Sequence, residues 1–204
     1  MIARLVGSEM CIRDRKSTAV PLPIENIDTD QIIPARFLKA TERVGFGDNL
    51  FRDWRYDSDD NLNENFVLNN SIYSGKILLA GKNFGSGSSR EHAAWAIYDY
   101  GFRCVISSFF ADIFKNNCLN IGVLPLRVKQ EDLDYILELV FENPSIEITV
   151  DLLNQKLLID EKEFERYFEI NSHKKNNLMN GLDDIDYLAN IRDEIIDFSK
   201  KIPF

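Results

Sequence analysis

The side chains with the clearest capacity for chemistry close the stretch Gly81-Lys82-Asn83-Phe84-Gly85-Ser86-Gly87-Ser88-Ser89-Arg90-Glu91-His92. Arg90 offers a planar fork of donors that suits a carboxylate or a phosphate. Ser88 and Ser89 place two hydroxyls beside it. Gly81, Gly85 and Gly87 let the backbone take positive φ and approach a ligand closely. The flanking residues say how this set is held. Lys76 to Ala80 is a short apolar run of the kind that makes a buried strand. From Arg90 to Tyr100, the residues Ala93, Ala94, Ile97 and Tyr98 fall at helical spacing. The order is strand, glycine-rich turn, helix N-terminus, and the free N–H groups of a helix start attract an anion. The stretch therefore reads as a small anion site containing two hydroxyls.

Common glycine-loop patterns do not fit it. A P-loop ends in Gly-Lys-Ser/Thr, and Gly87-Ser88-Ser89 lacks the lysine. A dinucleotide fingerprint needs a third glycine where this chain has Arg90. A nucleophile elbow needs Gly-x-Ser-x-Gly, and no glycine follows either serine at that distance. A plainer reading stands beside the anion site. Ser88-x-x-Glu91 matches a capping box, in which Ser88 does no more than cap its helix. Spacing alone leaves the two readings open.

The same stretch resembles the swivelling-domain motif of the aconitase superfamily. The chain from about Ser17 onward is similar to one branch of it, the small subunits of bacterial 3-isopropylmalate dehydratases. That similarity runs through Asn26 to Lys39, through Asp53-Trp54-Arg55-Tyr56, and through Phe110 to Cys118. It implies an α/β fold, the three-layer β/β/α swivelling domain of the aconitase C-terminal domain, with a mixed sheet and helical crossovers.

Composition bounds the reading independently. The chain has 204 residues, 45% of them hydrophobic, enough for one domain with a substantial core. A net charge of -9 opposes a nucleic-acid partner. No apolar run approaches the roughly 20 residues of a membrane helix. The 3 cysteines, Cys11, Cys104 and Cys118, are scattered without a Cys-x-x-Cys. That argues for a reducing compartment, the cytoplasm, and against a disulfide framework. It also argues against a cluster or zinc site built by this chain alone, and only 2 histidines leave no histidine-rich metal site.

Taken in order, residues 1–15 do not match the remainder of the chain and read as an unrelated leader. A single domain is expected over 16–204. Ser17 to Ile24 reads as an edge strand broken at Pro21 and Pro23. The aspartates of Asp28-Thr29-Asp30 read as an Asx-turn capping a short helix at Pro34. Residues 40–70 form a polar excursion anchored by Phe46, Leu50, Phe51, Trp54 and Phe66. Strands at Arg103–Ile106 and Gly122–Leu126 alternate with helices at Phe109–Asn117 and Gln130–Phe141, the pattern of a parallel sheet. Phe110, Ile113 and Phe114 are expected inward on the first helix, and Leu133, Ile136, Leu137 and Val140 on the second. A hairpin comes after them, with Ile146, Ile148 and Val150 on one arm and Lys156 to Ile159 on the other. From Asn171 on, one or two amphipathic helices broken near Gly181 are expected to pack on the core.

The resemblance also assigns roles. The superfamily removes water from a hydroxy acid and returns it at the neighbouring carbon, with a four-iron, four-sulfur cluster as Lewis acid. Ser88 would be the catalytic base. Ser89, Arg90 and Arg36 would bind the hydroxy dicarboxylate substrate. Asp30, Gly85, Gly87 and His92 would complete the active-site loop, and Val44, Phe46 and Leu50 are candidates to meet an isopropyl group. The cluster would be brought by a separate large subunit, leaving no metal bound by this chain. The expected activity is interconversion of 2- and 3-isopropylmalate in leucine biosynthesis. Small subunits of a homoaconitase or of a methylmalate (citraconate) hydratase are the alternatives within the superfamily. A non-catalytic anion-binding module is the alternative from another class.

Overall fold

The run at 77–80 forms a strand with all four side chains buried, because both faces of its sheet are covered. In the computed structural model, which describes residues 14–39, 45–182 and 184–201, the first strands are β1 (Asp14–Ser17) and β2 (Ala19–Leu22). A one-turn helix α1 (Thr29–Ile32) and a second short one, α2 (Arg52–Arg55), lie on the way to β3 (Ile77–Ala80). The regular part consists of α3 (Glu91–Tyr100), β4 (Cys104–Ser107), α4 (Asp112–Asn120), β5 (Leu124–Arg127) and α5 (Gln130–Glu142). Strands β6 (Ile148–Asp151), β7 (Lys156–Ile159) and β8 (Phe164–Tyr167) come next. The chain then continues through α6 (Ser172–Asn180), α7 (Asp184–Asn190) and α8 (Arg192–Ser199).

Parallel and antiparallel pairing are segregated into two sheets. One is parallel, in the order β2-β3-β4-β5; the other is antiparallel, in the order β1-β6-β7-β8. Alternation along β3 shows how the layers stack. Ile77 and Leu79 point into a core shared with α5 and the antiparallel sheet, through Leu133, Ile136, Ile148, Val150 and Leu157. Leu78 and Ala80 point the other way, into a core with α3, α4 and the 46–51 turn, through Ala93, Ile97, Phe114, Phe51 and Phe84. Each such large side chain contributes roughly 1.5–3 kcal/mol on full burial. The result is the expected three-layer β/β/α stack. Pro21 lies inside β2, at the sheet edge, where a missing N–H is tolerated.

Several expectations need correction. Asp14 and Arg15, assigned to the unrelated leader, pair with Asp151 and Val150 of β6, so the domain begins inside that segment. The helix near Phe109 starts at Asp112 instead. Phe110 therefore precedes it and bridges to Phe84, while Ile113 falls on the outer face and is 53% exposed. Strand β8 gave no signal, because of Phe164, Glu165, Arg166 and Tyr167 only Phe164 is buried. The tail breaks at Gly181, which is left-handed (φ 64), yet among its described apolar residues Leu178 alone is fully in the core. Ile185, Leu188, Ile195 and Phe198 are exposed.

Candidate active site

The loop after β3 is zipped, bond by bond, onto the segment after β2. Asn26 N donates to Lys82 O (2.8 Å), Gly85 N to Ile27 O (2.8 Å) and Thr29 N to Ser86 O (2.9 Å). The Thr29 hydroxyl, almost fully buried, donates to the carbonyl oxygen of Ser88 at 2.9 Å. Gly85 is required twice over. Its φ is +77°, and an added Cβ would lie 2.2 Å from Cγ of Phe114. Gly87 also has positive φ (88°) and completes the turn that delivers Ser88.

Asp28 is the cap that the aspartates suggested, but its helix starts at Thr29 and ends before Pro34. Its side chain accepts from Gln31 N (2.8 Å) while Gln31 Oε1 accepts from Asp28 N (2.8 Å). This sets Asp30 on the first turn of α1, where its carboxylate forms an ion pair with Arg90. The Arg90 side chain is only 15% exposed. Asp30, Ser88, Ser89 and Arg90 thus come together through α1 and the glycine loop.

The capping-box reading of Ser88 does not survive. The residue at the N-cap of α3 is Arg90, with extended φ/ψ and no side-chain cap bond, so Ser88 stands two residues outside the helix. Both Ser88 and Ser89 are exposed, and among the described residues neither hydroxyl has a partner. Ahead of them the N–H groups of Glu91 and His92 open the helix with no carbonyl behind them. The serines therefore face open surface beside one cationic group and one helix N-terminus. Clefts of about 630 Å³ beside Trp54 and of about 1060 Å³ beside Arg127 exist elsewhere, and neither is lined by Ser88, Ser89 or Arg90.

The remaining candidates are placed differently. Arg36 is exposed and paired with Asp53 of α2, Nη1 lying 3.1 Å from Oδ2, with its guanidinium 4.7 Å from the centroid of the Phe37 ring. Asp53, held below the usual carboxylate range chiefly by the hydrogen bond from Arg36, was missed in the sequence. Nothing in Asp53-Trp54-Arg55-Tyr56 marks which charge turns toward Arg36. His92 packs into an aromatic cluster, its ring centroid 4.5 Å from that of Trp95 and 5.5 Å from that of Phe46. Phe46 is nearly enclosed and Leu50 fully so, which makes both of them supports of this surface in the isolated chain. Val44 lies outside the described residues.

The two described cysteines do not suit an iron–sulfur cluster. Cys104 and Cys118 are both fully buried, and burial pushes the Cys104 thiol up to about 12 and the Cys118 thiol well up. A cluster needs several ionised thiolates grouped together. Among the described residues no set of three His, Cys, Asp or Glu side chains is grouped to hold a metal ion. No helix among them is long and apolar enough to cross a membrane.

Comparison with known proteins finds relatives of this fold. The profile of the aconitase C-terminal domain matches residues 11–131. The 3-isopropylmalate dehydratase small subunit of Cytophaga hutchinsonii is 58% identical over 185 residues, covering 91% of this chain and 92% of that one. Its counterpart in Azobacteroides pseudotrichonymphae is 58% identical over 189 residues, covering 92% and 96%. Among solved structures, a 3-isopropylmalate dehydratase of Methanocaldococcus jannaschii superposes with a TM-score of 0.65 at 25% identity, over 92% of this chain and 99% of that one.

Proposed function

Because the chain belongs to the aconitase C-terminal domain family, in its branch of 3-isopropylmalate dehydratase small subunits, we propose that Ser88 is the base of a two-subunit hydro-lyase. The substrate would be 2- or 3-isopropylmalate, isomerised by dehydration and rehydration in leucine biosynthesis. The observation that carries the assignment is the exposed, unpartnered hydroxyl of Ser88 beside Arg90, on a backbone anchored by Thr29.

The task of the base is to take a weakly acidic proton from a carbon beside a carboxylate. A serine hydroxyl is too weak an acid to be ionised without help, so its alkoxide needs preorganised positive charge. Arg90 and the leading N–H groups of α3 supply it. With Arg90 at the N-cap and Ser88 ahead of it, the hydroxyl is not consumed by capping. Ser89 would hydrogen-bond the substrate or the enolate-like oxygen. Asp30 occupies Nη1 of Arg90, and the fork has further donors for a substrate carboxylate. Arg36 would take a second carboxylate by exchanging Asp53 for it. Both partners of that pair are more than half exposed, so the exchange costs little.

An exposed base is quickly hydrated, so the surface must be covered for the chemistry to run. We assign that role to the large subunit, which would also bring the four-iron, four-sulfur cluster, for which the buried Cys104 and Cys118 are unsuited. When bound there, the cluster supplies the Lewis acid. The cytoplasm, where buried free thiols such as Cys104 and Cys118 stay reduced, is the compartment this reading favours.

The test is anaerobic mixing with the large subunit and assay against isopropylmalate, homocitrate and citramalate. Turnover of isopropylmalate above the other two supports the reading. Preference for homocitrate or citramalate would move the chain to a sister branch, and binding of the partner without any turnover would make it an interaction module.

A further inference from the structure

The cleft of about 630 Å³ beside Trp54 combines apolar walls with charge of one sign. Ile24, Trp54, Leu62 and Phe66 line it, and the charged groups among the described lining residues are Asp53 and Asp57, with no cation. Leu62 is 57% exposed and Ile24 43%, so apolar surface stands open to water here. Both carboxyls are held below the usual range, Asp53 chiefly by the hydrogen bond from Arg36 and Asp57 by that from the Asn61 side chain. Both are therefore anions at neutral pH. Such a groove suits a cation on an apolar stem. The methylenes of a lysine or arginine cover apolar walls, and the head meets carboxylates and aromatic faces.

The groove is formed in advance. Trp54 stacks on Phe51, with ring centroids 5.5 Å apart and 3° between the planes, and meets Phe66 edge-on at 5.7 Å. Asn63 Nδ2 donates to Trp54 O (3.0 Å), and Arg55 Nε donates to Asn69 Oδ1 (3.1 Å) behind it. Little ordering remains for a ligand to impose. The groove also adjoins the candidate active site at two points. Ile24 lies so close to the glycine stretch that a Cβ on Gly81 would be 2.3 Å from Ile24 O. Asp53, on the other wall, is bound through both oxygens to Arg36, the arginine assigned to a second substrate carboxylate. A partner that covers the glycine loop therefore meets this groove next.

We propose that the groove between Ile24, Trp54 and Leu62 receives an arginine or lysine of the large subunit, which competes with Arg36 for Asp53. The proposal rests on the hydro-lyase reading above. In the separate chain Arg36 is held by Asp53. In the assembled enzyme the incoming cation takes over that carboxylate, so that Arg36 becomes free for substrate only where the large subunit is docked.

The experiment titrates the small subunit into the large subunit under anaerobic conditions and reads Kd, which needs no turnover. Leu62→Lys puts a cation of the chain's own into the groove, and Leu62→Gln is the neutral control of similar size. Leu62→Lys should weaken Kd about tenfold or more, the scale of like charges brought together in an interface, and Leu62→Gln by no more than about threefold. Asp53→Asn changes an exposed residue without changing its shape, and should weaken Kd about tenfold as well. Arg36→Ala removes the competitor and should tighten Kd by up to about fivefold, the scale of one exposed ion pair. Kd unchanged in both Leu62→Lys and Asp53→Asn would leave the groove outside the interface. Equal weakening by Leu62→Lys and Leu62→Gln would leave an apolar contact with no cation in it. Weakening by Arg36→Ala would mean that Arg36 itself holds the large subunit. Each of these overturns the proposal. A wild-type complex that assembles but does not convert isopropylmalate would instead sink the hydro-lyase reading, with the Kd comparison still readable.

Discussion

The Thr29 hydroxyl donates a 2.9 Å hydrogen bond to the carbonyl oxygen of Ser88, from a residue that is itself almost fully buried. The backbone of the proposed base is thereby referenced to α1, the element that also carries Asp30, the partner of Arg90. Loop and helix form one unit. Replacing Thr29 by Val keeps the branched shape and deletes that donor. Stability should fall by about 1 kcal/mol, the ordinary net value of one hydrogen bond. Turnover of the reconstituted enzyme should fall further, by roughly tenfold to a hundredfold, because a base displaced by a fraction of an ångström loses its alignment. Thermal melting and kcat measured on the same preparation separate the two effects.

Arg90 makes a different prediction. Arg90→Lys preserves the positive charge and removes the fork that binds Asp30 and a carboxylate together. The kcat/KM for isopropylmalate should fall by about a hundredfold or more, the scale of a lost charge-stabilising donor. Asp30→Asn should act more mildly, since the guanidinium keeps its place at the N-cap of α3. Equal losses in the two variants would mean that the ion pair, and not the arginine's own donors, is what matters.

Gly85→Ala tests the loop's packing directly. The substitution forces a side chain into positive φ and into the Phe114 ring. Left-handed strain and overpacking together should cost about 2–5 kcal/mol. A chemical denaturation midpoint within error of wild type would show that the loop relaxes around the methyl group.

The tail responds to acid. Lys174, by its hydrogen bond and then its charge, holds the Asp184 carboxyl below the usual range, with a smaller contribution from His173. A depressed carboxylate stabilises the fold fully above its unfolded value and loses that contribution as pH falls through the folded one. The α6–α7 staple should hence hold at neutral pH and release below about pH 4. Amide protection factors across 184–190, taken against the intrinsic exchange rate at each pH, should fall on acidification, and Asp184→Asn should show the lower protection already at neutral pH. Protection factors that do not change between neutral and acid conditions would place the anchorage of α7 elsewhere.

Legibility in the sequence depends on how each signal arises. β3, α5 and the β6–β7 hairpin were legible because each presents a clean apolar run, stripe or alternation to one core. Alternation in β8 is masked by charge at an edge, and Ile113 was misplaced because the helix start slipped by three residues, turning that side chain outward. In the site, Ser88, Arg90 and Asp30 stood out by type and motif. Their arrangement did not: whether Ser88 caps α3 depends on where the helix begins, and Arg90 took the N-cap position without any cap bond. Thr29, Asp53 and Arg55 act through hydrogen bonds across 59, 17 and up to 14 residues of chain, which no local pattern reports.

The most direct test is Ser88→Ala in the reconstituted two-subunit enzyme. Because Ser88 lies outside α3 and its hydroxyl has no partner among the described residues, the variant should melt with wild-type stability to within about 0.5 kcal/mol and still bind the large subunit. Its kcat for isopropylmalate should fall by about 10³-fold or more, the loss expected when proton transfer loses its base. Wild-type turnover in a stable, fully assembled Ser88→Ala complex would contradict the assignment and place the base on another residue.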